Sequence, residues 1–125
     1  MKSSEFLDDI KILDLSQYIP GPFATRQLSD LGAQVIKVEP PDGDPMRRFM
    51  YAGDSETSPV YRHLNRGKRI CRLDLKSSAG QQTLRQLLKD ADVLLESFRP
   101  GVLQRLGFER DRKSTRLNSS HTSIS

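Results

Sequence analysis

Residues 10–22 read IKILDLSQYIPGP. Ile10, Ile12, Leu13 and Leu15 make a short apolar run, the pattern of a strand buried on both faces. Tyr18, Ile19, Pro20, Gly21 and Pro22 end it, because two prolines around a glycine cannot continue a central strand. Pro22 suits the first turn of a helix, where its missing N–H costs nothing. Ala24, Leu28 and Leu31 recur at helical spacing, which predicts a helix from Pro22 to about Leu31, with Gly32 as its stop. A strand, a sharp turn and a helix in that order open a parallel α/β unit.

The pattern repeats downstream. Val35, Ile36 and Val38 predict a second strand, closed by Pro40, Pro41 and Gly43. Residues 42–58 have no period and read as a long surface loop. Ile70, Leu73 and Leu75 mark a third extended segment. Ser78 and Gln81 form a capping-box pattern. Behind it, Leu84, Leu87, Leu88 and Ala91 follow i, i+3, i+4, i+7, the strongest helix signal in the chain. Gly80 in its first turn weakens that signal only slightly. Val93, Leu94 and Leu95 predict a fourth strand, Phe98 to Gly101 a turn, and Val102, Leu103 and Leu106 the start of another helix.

This order predicts an α/β fold: a partial, Rossmann-like parallel sheet with flanking helices and right-handed crossovers. Ligands of such sheets gather at the carboxyl ends of strands. Those ends fall at residues 16–21, 39–42, 74–76 and 97–100.

The 125 residues suffice for one small domain, and 29% of them are charged. No apolar run approaches the roughly 20 residues of a membrane span. Residues 1–10 carry Lys2, Glu5, Asp8 and Asp9 with no apolar core of a signal peptide. These features predict a cytoplasmic protein without membrane partners. Cys71 is the sole cysteine, so no internal disulfide forms, and no Cys/His cluster suggests a metal.

Residues 111–125 read DRKSTRLNSSHTSIS, polar and without period. DRKSTRLNSSH matches, residue for residue, the conceptual translation of a common short-read sequencing adapter. The expectation is a non-native tail at 111–125, with residues 1–110 as the N-terminal part of an α/β domain. Arg112, Lys113 and Arg116 against Asp111 account for about half of the formal +4 charge. The basic balance therefore argues little for nucleic acid.

There is no GxGxxG and no P-loop. The Pro-Gly-Pro turn aims a helix N-terminus at the end of the first strand, a place that favours anions. Asn65, Arg66, Gly67, Lys68 and Arg69, with Arg62, Arg72 and Lys76, form a basic stretch. It reads either as a phosphate-ligand site or as a solvated loop. No aromatic residues interleave with these charges, as a single-strand nucleic-acid surface would need. His63 lacks a nucleophile partner at a recognisable spacing. Cys71, inside a predicted strand, reads as a small buried residue. Asp14 would be costly inside the sheet unless paired, so it faces solvent or caps the next turn. Asp74 follows a strand, where spacing alone would suit a general base, but no partner is evident.

Three segments together carry a family resemblance: LDLSQYIPGPFATRQLSDLGAQVIKVEPP at 13–41, LNRGKRICRLDLKSSAG at 64–80 and ADVLLESFRPGVLQRLGF at 91–108. In this order and spacing they resemble the family III coenzyme A transferases and the related alpha-methylacyl-CoA racemases. The resemblance covers about residues 7–108 and corresponds to the first quarter of a full-length member. It implies a Rossmann-like domain that binds CoA at strand carboxyl ends, and an interlocked homodimer. The matching CoA positions are Ile19 and Pro20 in the first loop; Leu73, Asp74, Leu75 and Lys76 after the third strand; and Ser97, Phe98, Arg99 and Arg105 after the fourth. It implies Lys76 and Arg105 at the CoA phosphates, backbone near Leu73 and Leu75 at the adenine, and apolar contact from Phe98. Pro40 stands where some members carry an arginine, and Ser97 where others carry asparagine.

The resemblance implies CoA and acyl-CoA as substrates with a carboxylic acid acceptor, and no permanently bound cofactor. Transferases of this type use an aspartate that takes the acyl group as an anhydride and then CoA as a thioester. The racemases use a His/Asp acid-base pair. Both sets lie downstream of Phe108, so no catalytic residue is assigned here. The expectation is an inactive fragment of a CoA-transferase, prone to aggregate or to fold only in part. The other readings are a racemase fragment and, in a different class, a non-catalytic basic module for nucleotides or nucleic acid.

Overall fold

The structure is a computed structural model that describes residues 6–50, 53 and 57–108. Four strands form one sheet: β1 (Lys11–Leu15), β2 (Gln34–Glu39), β3 (Arg69–Arg72) and β4 (Val93–Glu96), in the order β3-β2-β1-β4. All three pairings are parallel, with Leu13 opposite both Ile36 and Leu94, and Ile36 opposite Arg69. The predicted α/β sheet with flanking helices is the fold observed. The third strand stops at Arg72, short of the expected Leu75, although the Leu73 N–H still donates to the Glu39 carbonyl at 2.9 Å.

Helix α1 (Pro20–Asp30) begins two residues before the expected Pro22, so both prolines lie in its first turn. Gly21 has a steric reason. A Cβ there would sit 2.3 Å from the Ser16 Cβ and Oγ, so helix and strand meet only through a glycine. Gly32, at φ 106°, ends the helical segment as expected. Helix α3 (Ser78–Asp90) is also close to its prediction, but its cap is Ser77, not Ser78. Ser77 Oγ accepts from the Gly80 N–H at 3.0 Å, and Gln81 Nε2 donates to the Leu75 carbonyl at 2.9 Å instead of closing a capping box. Helix α4 (Val102–Arg105) follows the turn after β4.

Helix α2 (Pro59–Leu64) is not legible as a period, being under two turns long. Its chemistry is local: Ser58 Oγ accepts from the Tyr61 N–H at 3.0 Å, and Pro59 occupies the first turn. The expected loop at 42–58 is partly built. Pro45–Arg47 is a 3-10 turn capped by Asp44, and Gly43, Asp44, Met46 and Ser58 are buried. Residues 51, 52 and 54–56, and the tail at 111–125, lie outside the described residues.

The two faces of the sheet differ in chemistry. On one, Leu13, Leu15, Val38 and Leu94 pack with Leu84, Ala91, Leu103 and Phe108 into the main apolar core. Burial of a leucine such as Leu84 contributes roughly 1.5–3 kcal/mol. On the α1 face, Ile12 and Val35 pack with Ala33 near the strand starts. Toward the strand ends that face turns polar: Asp14, Lys37 and Glu39 are all buried. Asp14 therefore neither faces solvent nor merely caps a turn, as the sequence suggested.

Candidate ligand edge at the strand carboxyl ends

From β1 the chain crosses over α1 to β2 on one side, and from β3 it returns over α3 to β4 on the other. The loops after β1 and β4 thus diverge at neighbouring strands, the topological switch point where open α/β sheets bind ligands. The Gln17 N–H donates to Ser97 Oγ at 3.1 Å and ties these two loops together.

A cavity of about 370 Å³ opens at this edge. Leu73, Asp74, Leu75 and Lys76 line it from the loop before α3, and Phe98 from the loop after β4. The other expected residues do not line it. Ser97 borders it through the bond to Gln17, and Ile19 and Pro20 stand exposed at the start of α1. Arg99 and Arg105 are exposed, Arg105 in the last turn of α4. Gln17 and Pro40, which fall in the expected strand ends at 16–21 and 39–42 but were not named as ligand contacts, also line the cavity, as does Val102 at the start of α4, for which the sequence held no signal.

The cavity-lining turn is held by its own polar groups. Asp74 Oδ1 accepts from the Lys76 N–H at 3.0 Å, and the Asp74 carbonyl accepts from Ser77 Oγ at 2.8 Å. The Asp74 side chain thus shapes the turn. The Phe98 N–H donates to Glu96 Oε1 at 2.9 Å, which fixes the second wall. A cavity of about 420 Å³ at the opposite end is walled by the strand starts Lys11, Gln34 and Arg69 and the last turn of α3. It lacks the strand carboxyl ends where crossovers diverge.

Beneath the edge, on the α1 face, lies a buried charge network. Asp14 Oδ1 accepts from the Ser16 N–H at 2.8 Å and from the Ser16 hydroxyl. Its Oδ2 accepts from Thr25 Oγ1 at 2.5 Å and Lys68 Nζ at 3.2 Å. Lys68 Nζ also donates to the Pro22 carbonyl and to Asn65 Oδ1, each at 2.9 Å. Lys37 Nζ donates to Asp44 Oδ2 at 2.7 Å and to the Ser16 carbonyl at 3.3 Å. Glu39 accepts from Arg47 Nε at 2.7 Å, from the Asp44 N–H at 3.0 Å and from the Tyr61 hydroxyl.

Burial pushes the Lys68 ammonium down to about 8, although Asp14 pulls the other way. Burial alone would raise the Glu39 carboxyl, but the bonds from Arg47, Tyr61 and the Asp44 N–H hold it below its ordinary value. Burial and the neighbouring Glu39 push the Tyr61 hydroxyl well up. The basic stretch is therefore split. Lys68 turns inward as the partner of Asp14, while Arg66 and Arg69 are exposed. His63 is exposed beside Arg26 Nη1 at 2.9 Å, and Cys71 is half-buried on the edge strand. Among the described residues no group of three His, Cys, Asp or Glu is placed to hold a metal. No described helix is long and apolar enough to cross a membrane.

A parallel sheet flanked by helices, with a cavity at its switch point, defines the class: an α/β domain of Rossmann-like build. The family follows from comparison. Residues 7–118 match the family model of CoA-transferase family III, and the chain belongs to that family. Succinyl-CoA--D-citramalate CoA-transferase of Chloroflexus aurantiacus is 44% identical over 105 residues, covering 81% of this chain and 25% of the relative. Acetyl-CoA:oxalate CoA-transferase of Acetobacter aceti is 44% identical over 103 residues, covering 81% and 26%. A crystal structure of a hypothetical protein from Mycobacterium tuberculosis superposes with a TM-score of 0.77 at 35% identity, covering 90% of this chain and 32% of that one. The chain thus spans about a quarter of the length of the curated relatives it matches.

Proposed function

We propose that this chain is the CoA-holding portion of an enzyme that transfers coenzyme A from an acyl-CoA to a carboxylic acid. The observation that carries the reading is convergence. Leu73, Asp74, Leu75 and Lys76 from one loop and Phe98 from another, singled out by resemblance, line one cavity at the switch point. Lys76, Arg99 and Arg105 supply positive charge around that edge for the CoA phosphates. Backbone groups at Leu73 and Leu75 hold the adenine, Phe98 gives it an apolar wall, and Ile19, Pro20 and Ser97 border the loop opposite. The relatives named for an activity are transferases, which supports transfer over racemisation.

The residues of this chain bind and orient. Asp14 is buried and locked to Lys68, Ser16 and Thr25, Asp74 shapes its own turn, and the family resemblance places the acyl-accepting carboxylate downstream of Phe108. Turnover therefore needs a carboxylate from elsewhere in a longer chain, and this chain alone is expected to be inactive in CoA exchange. The assembly is proposed to be the interlocked homodimer implied by the family, in the cytoplasm. Residues 111–125 are proposed to be adapter-derived, although the family match runs into 111–118. Sequencing the source locus past Arg110 with long reads tests that: continued α/β pattern supports it, and DRKSTRLNSSH followed by a stop overturns it.

Isothermal titration with CoA tests the binding reading. Saturable binding is expected, weakened about tenfold by Lys76→Ala through loss of a charge-assisted hydrogen bond. Absence of saturable binding would overturn it.

A further inference from the structure

The loop at residues 16–19 runs between β1 and α1 and borders the cavity through Gln17. Within it Tyr18 has φ 68°, a left-handed conformation rare for a residue with a side chain. Such backbone persists only where its surroundings over-determine it. Two buried lysines flank the loop, one holding its start after β1 and one holding the chain beyond it, in the first turn of α1. Lys37, on β2, donates to the Ser16 carbonyl at 3.3 Å. Lys68, on the loop before β3, donates to the Pro22 carbonyl at 2.9 Å. Both side chains have no solvent exposure. Asp14 joins the two ends: it accepts from the Ser16 N–H and hydroxyl and pairs with Lys68. Asp44, in turn, fixes Lys37 at 2.7 Å.

Apolar side chains would fill this space without the cost of burying charge. What they could not do is hold backbone carbonyls at fixed points. We propose that Lys37 and Lys68 are positioning residues: their ammonium groups clamp the chain on either side of the β1–α1 loop, at Ser16 and at Pro22 in the first turn of α1, and set the geometry of residues 17–20 at the ligand edge. The part of this inference that concerns ligand affinity rests on the CoA-binding reading above.

The test is hydrogen exchange by mass spectrometry on the whole chain at low micromolar concentration. Lys37→Met with Asp44→Asn removes one charge pair together and keeps a side-chain acceptor for the Met46 N–H. Tyr61→Phe is the control, because Tyr61 belongs to the same network but touches neither loop end. The clamp predicts exchange at least tenfold faster in residues 17–23 of the double variant, with residues 34–39 unchanged, and less than a twofold change in the control. It also predicts CoA affinity weakened about tenfold in the double variant alone.

If the double variant loses the fold, Lys37→Gln reads the same exchange. Its amide is uncharged and one bond shorter, so it cannot reach both Asp44 and the Ser16 carbonyl as the ammonium does. Equal protection of residues 17–23 in variant and control would overturn the clamp. So would loss of the fold in both lysine variants, since Lys37 would then act in folding and not in positioning. If the wild-type chain binds no CoA, the proposed function fails, and the exchange comparison still decides the clamp.

Discussion

Asp14 and Lys68 meet at 3.2 Å from positions 54 apart in the sequence. That separation is why the pair was illegible. Asp14 read as an isolated carboxylate, and Lys68 as one charge in a basic run. Removing one partner leaves the other buried and unpaired, so Asp14→Ala is expected to cost roughly 3–5 kcal/mol in urea unfolding. The lysine also sets a pH signature. It gives up its proton near pH 8 in the fold, against 10.5 for the ordinary side chain. Between those values the unfolded chain holds more protons, so stability rises with pH across that window. Tyr61 works the other way. Its folded hydroxyl keeps its proton past 10, so stability falls above about pH 10 as the unfolded chain ionises first. Glu39, held below 4.5, contributes stability that is lost as pH falls through its folded value. The urea midpoint should climb from pH 8 to about 10, then decline. The climb should vanish in Asp14→Asn/Lys68→Met.

Four strands and both long helices were legible, because each shows the apolar spacing of its element within its own residues. What failed was local chemistry one residue off. Ser78 fits a capping box with Gln81, yet Ser77 is the cap, and Gln81 reaches back to Leu75 instead. The reason lies at Gly80. A Cβ there would stand 2.0 Å from the Asp74 carbonyl oxygen, so the helix start and the cavity-lining turn touch through a glycine. Helix propensity alone says that Gly80→Ala stabilises by about 0.5–1 kcal/mol. The contact reverses the sign. Gly80→Ala should lower the melting temperature and displace the turn of Asp74 and Lys76, weakening CoA binding. A raised melting temperature with unchanged affinity would show that the turn yields freely. The candidate site was legible in part for a related reason. Strand ends can be read from apolar runs, and they pointed to residues 74–76 and 97–100, while Leu73 to Lys76 and Phe98 were singled out by the family resemblance. The Gln17–Ser97 bond and the contacts of Lys37 and Lys68 to backbone carbonyls depend on partners brought in by the sheet, and no local pattern announces them.

The described residues carry a small sheet with two outer strands. β3 is an open edge among the described residues, and Ile70 on it is 39% exposed. Phe6, at 82%, and Met50, at 90%, stand in solvent as well. Unpaired strand edges and exposed large apolar side chains favour association between copies. Light scattering should therefore show concentration-dependent association in the tens of micromolar range. A monomer over that range, melting in one cooperative transition, would count against it. Because the chain spans about a quarter of its curated relatives, the claim that matters most for it is binding at the strand carboxyl ends. An NMR titration of the isotope-labelled chain with CoA, at low micromolar protein, tests that claim most directly. The account predicts saturable shifts confined to Leu73, Asp74, Leu75, Lys76, Ser97, Phe98, Arg99, Arg105 and the segment at 17–20. Shifts centred instead on Arg66 and Arg69, or none that saturate, would contradict it.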